Sequence, residues 1–222
     1  MKKILSTVVL TALLTLSCQD KKTTNSFQSK FNKEKSGISP SEKKDGQEVP
    51  AQQTDKGFVV LKNTYQQKDF IQLYNEDYSI WKSFQMTDTF HDDNIIPYSM
   101  KPENTLLVFK FLGKENGLYK VLVNEDKNTI KYIKVSDSNF VYQTAGEHIL
   151  TVFSVDFNEK ENPLRTAPDS KALSQPLDKD SFYYPVKIEG SWLMVKDDHD
   201  HNFWIKWCDE KGHLILDLYY DA

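Results

Sequence analysis

Cysteine is nearly missing from this chain: Cys18 and Cys208 are the only two in 222 residues. A disulfide-stapled scaffold is excluded, so stability has to come from a packed core. Long apolar runs are missing as well. The longest, residues 4–16, falls well short of the roughly 20 residues that a membrane-spanning helix needs. Basic clusters are missing from the larger part of the chain. The net charge is −4 overall, and once Lys2, Lys3 and the surplus of two positive charges in residues 19–56 are set aside, −8 remains on residues 58–222. A body of that sign is a poor match for nucleic acid or for surface docking on anionic lipid. No Gly-x-Ser-x-Gly elbow, phosphate loop or dinucleotide fingerprint occurs, so neither an enzyme nor a cofactor is expected.

What is present begins with "MKKILSTVVLTALLTLSC", a short basic start, an apolar run and Ser17 just before Cys18. That is the layout of a secretory leader. With its cysteine at the cleavage point it resembles a bacterial lipoprotein signal, and an ordinary signal peptide with an incidental cysteine is the alternative. The resemblance implies lipidation of Cys18, attachment to a membrane through the lipid, and a place in the cell envelope, with the outer membrane the expected one. Residues 19–57 follow as a lysine-rich, Ser/Thr/Gln-rich segment with few large apolar side chains. Such a composition cannot bury enough to offset its ordering entropy, and a tether is expected. Its reach is about 35 Å as a flexible coil and about 125 Å at full extension.

From residue 58 onward, aromatic and β-branched residues in short alternating runs point to strands. Even in residues 64–90, where turn residues are sparse, Ile71-Gln72-Leu73 and Ile80 to Phe84 alternate as strands do. A weak internal repeat is visible. "FKFLGKENGLYKVLVNEDKNTIKYIKVSDSN" (109–139) lies over "YPVKIEGSWLMVKDDHDHNFWIKWCDEKG" (184–212). In each, a strand ends at glycine (Gly113, Gly190), a second strand follows, and a polar loop leads to a third. Upstream, "IQLYNEDYSIWKSF" stands opposite "NPLRTAPDSKALSQPL". The second copy resembles the bacterial SH3-like domain in Arg165, Pro168, Gly190, Trp192, Val195, Trp204 and Ile205. The expected fold class is therefore mostly β, with two small SH3-like β-barrels in tandem, residues 58–157 (diverged) and 158–222, after a leader (1–18) and a tether (19–57).

Strand alternation sorts the aromatics. Trp192 and Met194 share a face that carries Leu118 and Lys120 in the first copy; Trp204 shares one with Lys206, and Tyr132 with Lys134. Lysines on that face predict partly exposed rings at Trp192, Trp204 and Tyr132, with Ile133, Val135, Ile205 and Trp207 inward. Together with Tyr183, Tyr184 and Tyr219 these rings are the candidate ligand-binding set, a shallow aromatic face for peptidoglycan peptides or a segment of an envelope protein. The resemblance points the same way, since bacterial relatives of the domain are linked to wall peptides and partner proteins. An accessory lipoprotein packed on a larger envelope assembly is the alternative. Arg165 is expected to hold its own loop through backbone carbonyls or Asp169. In "KDDHDHN" (196–202), His199 and His201 stand two apart beside Asp197, Asp198 and Asp200, a candidate metal site; the equivalent loop of the first copy, "NEDKN", is a plain polar turn. Cys208 with His213 is the one thiol and imidazole pairing, on an apolar strand where a thiol is normally inert.

Overall fold

The computed structural model describes residues 57–221. The leader, Cys18 and the tether lie outside the described residues. No helix among the described residues is long and apolar enough to cross a membrane.

Eight strands make the first sheet: β1 (Phe58–Leu61), β2 (Ile71–Tyr74), β3 (Ile80–Phe84), β4 (Ser99–Lys101), β5 (Leu106–Glu115), β6 (Leu118–Asn124), β7 (Thr129–Lys134) and β8 (Phe140–Gln143). Their order is β3-β2-β7-β6-β5-β1-β8, with β4 against β5. Asn116 and Gly117, with φ of 48° and 75°, form the two-residue turn between β5 and β6, and positive φ at both positions matches the right-handed twist of the flanking strands. Gly113 does not end β5 as expected. The strand runs on to Glu115, and the register with β6 shifts between Phe111 and Gly113, a bulge that a residue without Cβ accommodates. The core beneath holds Val59, Ile71, Leu73, Phe109, Val121 and Ile133, of which alternation assigns Ile133 inward.

The second half is built from β9 (Ser154–Asp156), β10 (Tyr184–Glu189), β11 (Trp192–Lys196), β12 (Asn202–Lys206) and β13 (Asp217–Tyr219). Strands β10-β11-β12 form one sheet and β13-β9 a second. The register repeats that of the first half: Leu118↔Lys134 and Lys120↔Tyr132 match Trp192↔Lys206 and Met194↔Trp204. The repeat extends upstream. Tyr74 of β2 pairs with Tyr132, and Arg165 pairs with Trp204 on one side and Ser174 on the other, so the irregular stretch 163–177 takes the place of the β2–β3 hairpin. Likewise β8 pairs with β1 as β13 pairs with β9. Arg165 holds its loop, its Nη1 donating to the Ala172 carbonyl at 2.8 Å. Both halves are thus mostly β and share the register of β6–β7 and β11–β12, but no ladder among the described residues joins β9 to β10 as β5 joins β1, and their sheets are open: no pairing among the described residues joins β3 to β8, or closes the second half into a ring.

Asn162 extends the second sheet with a side chain. Its Oδ1 accepts from Lys206 N and its Nδ2 donates to Lys206 O, both at 2.8 Å, replacing the ladder that a further strand would supply. Asn162→Ala should cost about 2 kcal/mol, since it leaves a largely enclosed N–H and C=O unpaired; urea denaturation measures it, and a cost below about 0.5 kcal/mol would show that water replaces both bonds.

Between the halves stands α1 (Ala145–Ile149), begun by a capping box in which Thr144 Oγ1 accepts from Glu147 N and Glu147 returns the bond to Thr144 N. This satisfies two otherwise orphaned donors. A seam of Phe58, Val108 and Ala145 with Tyr98, Trp207 and Tyr220 ties the first sheet to the end of the chain. Across it Lys101 and Asn104 hold the Asp221 carboxylate.

Candidate functional site

A groove of about 460 Å³ opens beside the β13–β9 pair. One wall is that short ribbon; the other is the loop 177–183. The loop is built by two side chains. Tyr183 Oη accepts from Asp178 N at 3.0 Å and donates back to Asp178 O at 3.2 Å, while its own carbonyl takes Val155 N of β9 at 3.0 Å. Asp198, from the turn between β11 and β12, accepts from Tyr184 Oη (2.7 Å), Phe182 N (2.9 Å) and Ser181 Oγ (3.2 Å). The Tyr184 hydroxyl, followed by the Phe182 amide, holds the Asp198 carboxyl below its ordinary range, and the same bond raises the tyrosine. The fixed backbone presents Phe182, 45% exposed, with its ring 5.4 Å from Phe153 at 72°. Phe153 lies 5.4 Å from Tyr184 at 89°. These edge-to-face contacts suit the ring quadrupoles and lock the rings at low entropic cost. Tyr219, 49% exposed, faces the groove from β13.

The lining is acidic. Asp156, Asp178 and Asp221 contribute carboxylates, and Lys179 is the one cation in it; Asp221 is already engaged by Lys101.

Of the aromatic set drawn from the sequence, Tyr183, Tyr184 and Tyr219 come together here, Tyr183 as a buried wall element rather than a contact ring. Trp192, Trp204 and Tyr132 do not. Trp192 is half-buried, but Trp204 and Tyr132 are only 6% and 5% exposed, which corrects the expectation of open rings. Alternation put them on the outer face correctly; that face is covered. Tyr132 packs with Tyr74 and Leu118, and Trp204 has the Arg165 backbone alongside and Lys187 Nζ 5.1 Å above its ring. Trp207, expected inward, is half-buried at the seam and donates Nε1 to Gly190 O at 2.9 Å. Residues missed by sequence reasoning are Ser154, Asp156, Phe182 and, at the seam, His148.

His199 and His201 belong to a turn. Asp197 Oδ1 accepts from His199 N (2.9 Å) and His201 N (2.8 Å), and Oδ2 faces His201 Nδ1 at 3.0 Å. The same arrangement recurs at Asp209, which takes Lys211 N, His213 N and His213 Nδ1. Burial raises Asp197, but the bonds from His201 and His199 outweigh it and leave the carboxyl below its usual range. An Asp with His four residues on is therefore a turn device here. Among the described residues no group of three or more His, Cys, Asp or Glu is placed to hold a metal ion. Cys208 is buried, with its thiol raised by that burial, and the His213 ring is turned to Asp209. Compared with protein-family models, with curated proteins and with solved structures, the chain matches none.

Proposed function

We propose that this chain is an envelope lipoprotein, anchored through Cys18 and displayed on the tether 19–57, that binds an extended peptide without catalysis in the groove between the β13–β9 ribbon and the loop 177–183. The peptide belongs to the cell wall or to an envelope protein, and the outer membrane is the proposed location. We read the two halves as SH3-like copies, the first diverged, with the division falling ahead of β9 (Ser154–Asp156), a reading supported by the register that β6–β7 and β11–β12 share. The observation that carries the binding role is the pair of exposed rings, Phe182 on backbone fixed in advance by Tyr183 and Asp198 and Tyr219 on β13 paired with β9. Rings held this way supply contact area without an ordering cost on binding.

The test is a double substitution, Phe182→Ala with Tyr219→Ala. Both side chains are exposed and away from the core, so stability should change by no more than about 0.5 kcal/mol for each. The fraction of full-length protein retained on purified wall sacculi should fall about tenfold, the size expected when the anchors of an interface are truncated. Undiminished retention would refute the groove as the site. Absence of wall retention together with a stoichiometric envelope partner whose binding survives the substitution would favour an accessory lipoprotein instead.

A further inference from the structure

Asparagine followed by glycine occurs once in this sequence, at Asn116-Gly117. The pair forms the turn between β5 and β6, and both residues are exposed. Glu115 and Leu118 close the hairpin around them, and Gly117 N has no acceptor among the described residues. The Asn116 side-chain amide has no partner among them either, and it stands in water. A Cβ at Gly117 would meet nothing within 4 Å, so the space beside the peptide bond is open. Joining Gly117 N to Asn116 Cγ closes a small ring, and a following residue without a side chain leaves that nitrogen unshielded.

The turn is held from outside. Tyr78 Oη donates to Asn116 O at 2.7 Å, and Val135 N donates to Gly117 O at 2.9 Å. Tyr78 is itself left-handed, with φ of 66°, a conformation that a bulky residue keeps only when its surroundings hold it. Neither bond uses the Gly117 N–H or the Asn116 side chain, so they restrain the peptide plane without covering the atoms that would react. Comparable positions lack one element each. Asn128, also left-handed at φ of 51°, is followed by Thr129, whose stiff branched side chain crowds the same approach. The turn between β10 and β11 is Gly190-Ser191, with no side-chain amide.

We infer that Asn116 is a self-modifying site, converted through a cyclic imide to aspartate and isoaspartate, and that the Tyr78 bond sets its pace. Gly117 N gives its proton to solvent base and attacks Asn116 Cγ. The new C–N bond forms, and the side-chain nitrogen leaves as ammonia after taking up a proton. Water then adds to one of the two imide carbonyls. Opening at Cγ gives aspartate, and opening at the main-chain carbonyl gives isoaspartate, whose backbone runs through Cβ and Cγ and is one atom longer. One water is consumed, one ammonia is released, and no oxidant or reductant takes part. The longer backbone does not fit a two-residue turn that sets Glu115 opposite Leu118. It also displaces the carbonyl that Tyr78 uses, so the β2–β3 and β5–β6 hairpins loosen together.

The test holds the full-length protein at physiological temperature and mildly alkaline pH and follows the amide-to-acid mass gain by peptide mapping. Asn116 should convert before any other described asparagine, with ammonia released in equal amount and isoaspartate identified by electron-transfer fragmentation. Tyr78→Phe should speed the conversion about fivefold, the population effect of one hydrogen bond. Asn116→Gly keeps a residue suited to positive φ. It should abolish both the mass gain at this turn and the fall in melting temperature that the aged wild type shows. An unchanged Asn116 in the folded protein, while a sample unfolded in urea converts, would overturn the inference, and so would earlier conversion at Asn128. Conversion of Tyr78→Phe at the wild-type rate would overturn the role given to Tyr78.

Discussion

Phe58→Ala is expected to lower stability by about 4 kcal/mol, the cost of a large cavity in a core that cannot collapse around it. Phe58 is fully buried at the seam, with its ring 4.8 Å from Tyr98 and 4.4 Å from His148. It begins β1, which lies between β5 and β8, and it packs in the cluster that Trp207 and Tyr220 enter from the far end of the chain. The substitution should therefore weaken both halves together. Trp81 reports on the first half and Trp192, Trp204 and Trp207 on the second. In urea, tryptophan fluorescence and far-UV circular dichroism should move to lower denaturant as one superimposed transition. Two separated transitions, with the fluorescence one unmoved, would mean that the seam does not couple the halves.

Acid should destabilise the protein by about 3 kcal/mol between pH 6.5 and pH 4, through His148. The ring is 1% exposed, and burial lowers its pKa from 6.5 to about 4. Nδ1–H donates to Gln143 Oε1 at 2.8 Å and Nε2 accepts from Tyr220 O–H at 2.7 Å, so both nitrogens are satisfied in the neutral form. Burial raises the Tyr220 hydroxyl too and keeps it a donor. The folded state binds this proton less readily than the unfolded chain. Its contribution is complete above pH 6.5 and is lost as pH falls toward 4; a difference of that size is worth about 3 kcal/mol. The carboxylates whose hydrogen bonds and ion pairs lower them, Asp77, Asp92, Glu147, Asp197, Asp198 and Asp209, begin to lose their contribution only toward the acid end of this range, so most of the change between pH 6.5 and pH 5 belongs to His148. His148→Gln keeps an acceptor for Tyr220 without a titrating ring. Its urea midpoints should be nearly flat from pH 6.5 to pH 5, and a profile parallel to the wild type there would assign the acid sensitivity elsewhere.

The local parts of this fold were legible from residue order, and the parts made by distant pairing were not. Alternation placed β2, β3, β7, β11 and β12, because a two-residue period is written into each short segment. The repeat aligned Trp192 with Leu118 and Trp204 with Tyr132, which the paired registers reproduce. Alternation assigns a face but not what covers it, and so the rings of Tyr132 and Trp204 were expected in the open when Tyr74 packs against the first and Lys187 lies over the second. The helix carrying His148 had a readable signal, Thr144-Ala-Gly-Glu147, the spacing of a capping box, and it passed unnoticed in a segment of five helical residues. The groove had no local signal. It exists because residues 154–156 pair with 217–219, and nothing periodic in either segment names the other. Tyr183 and Tyr219 were singled out for their chemistry, and their convergence is a product of topology.

Open sheets leave strand borders that rings of strands would have eliminated, and those borders are defended. On β3 Trp81 is an extra residue against Leu73 and Tyr74 of β2, so the register slips there, and Lys82 stands on the strand. On β10 the pairing slips between Pro185 and Lys187, so that an exposed Val186 sits at an irregularity beside a residue with no amide hydrogen. Kinks, lysine and proline are the means by which natural sheets refuse an intruding strand. Molecules crowded side by side would meet border to border many times over, and these features keep such collisions from nucleating cross-β growth.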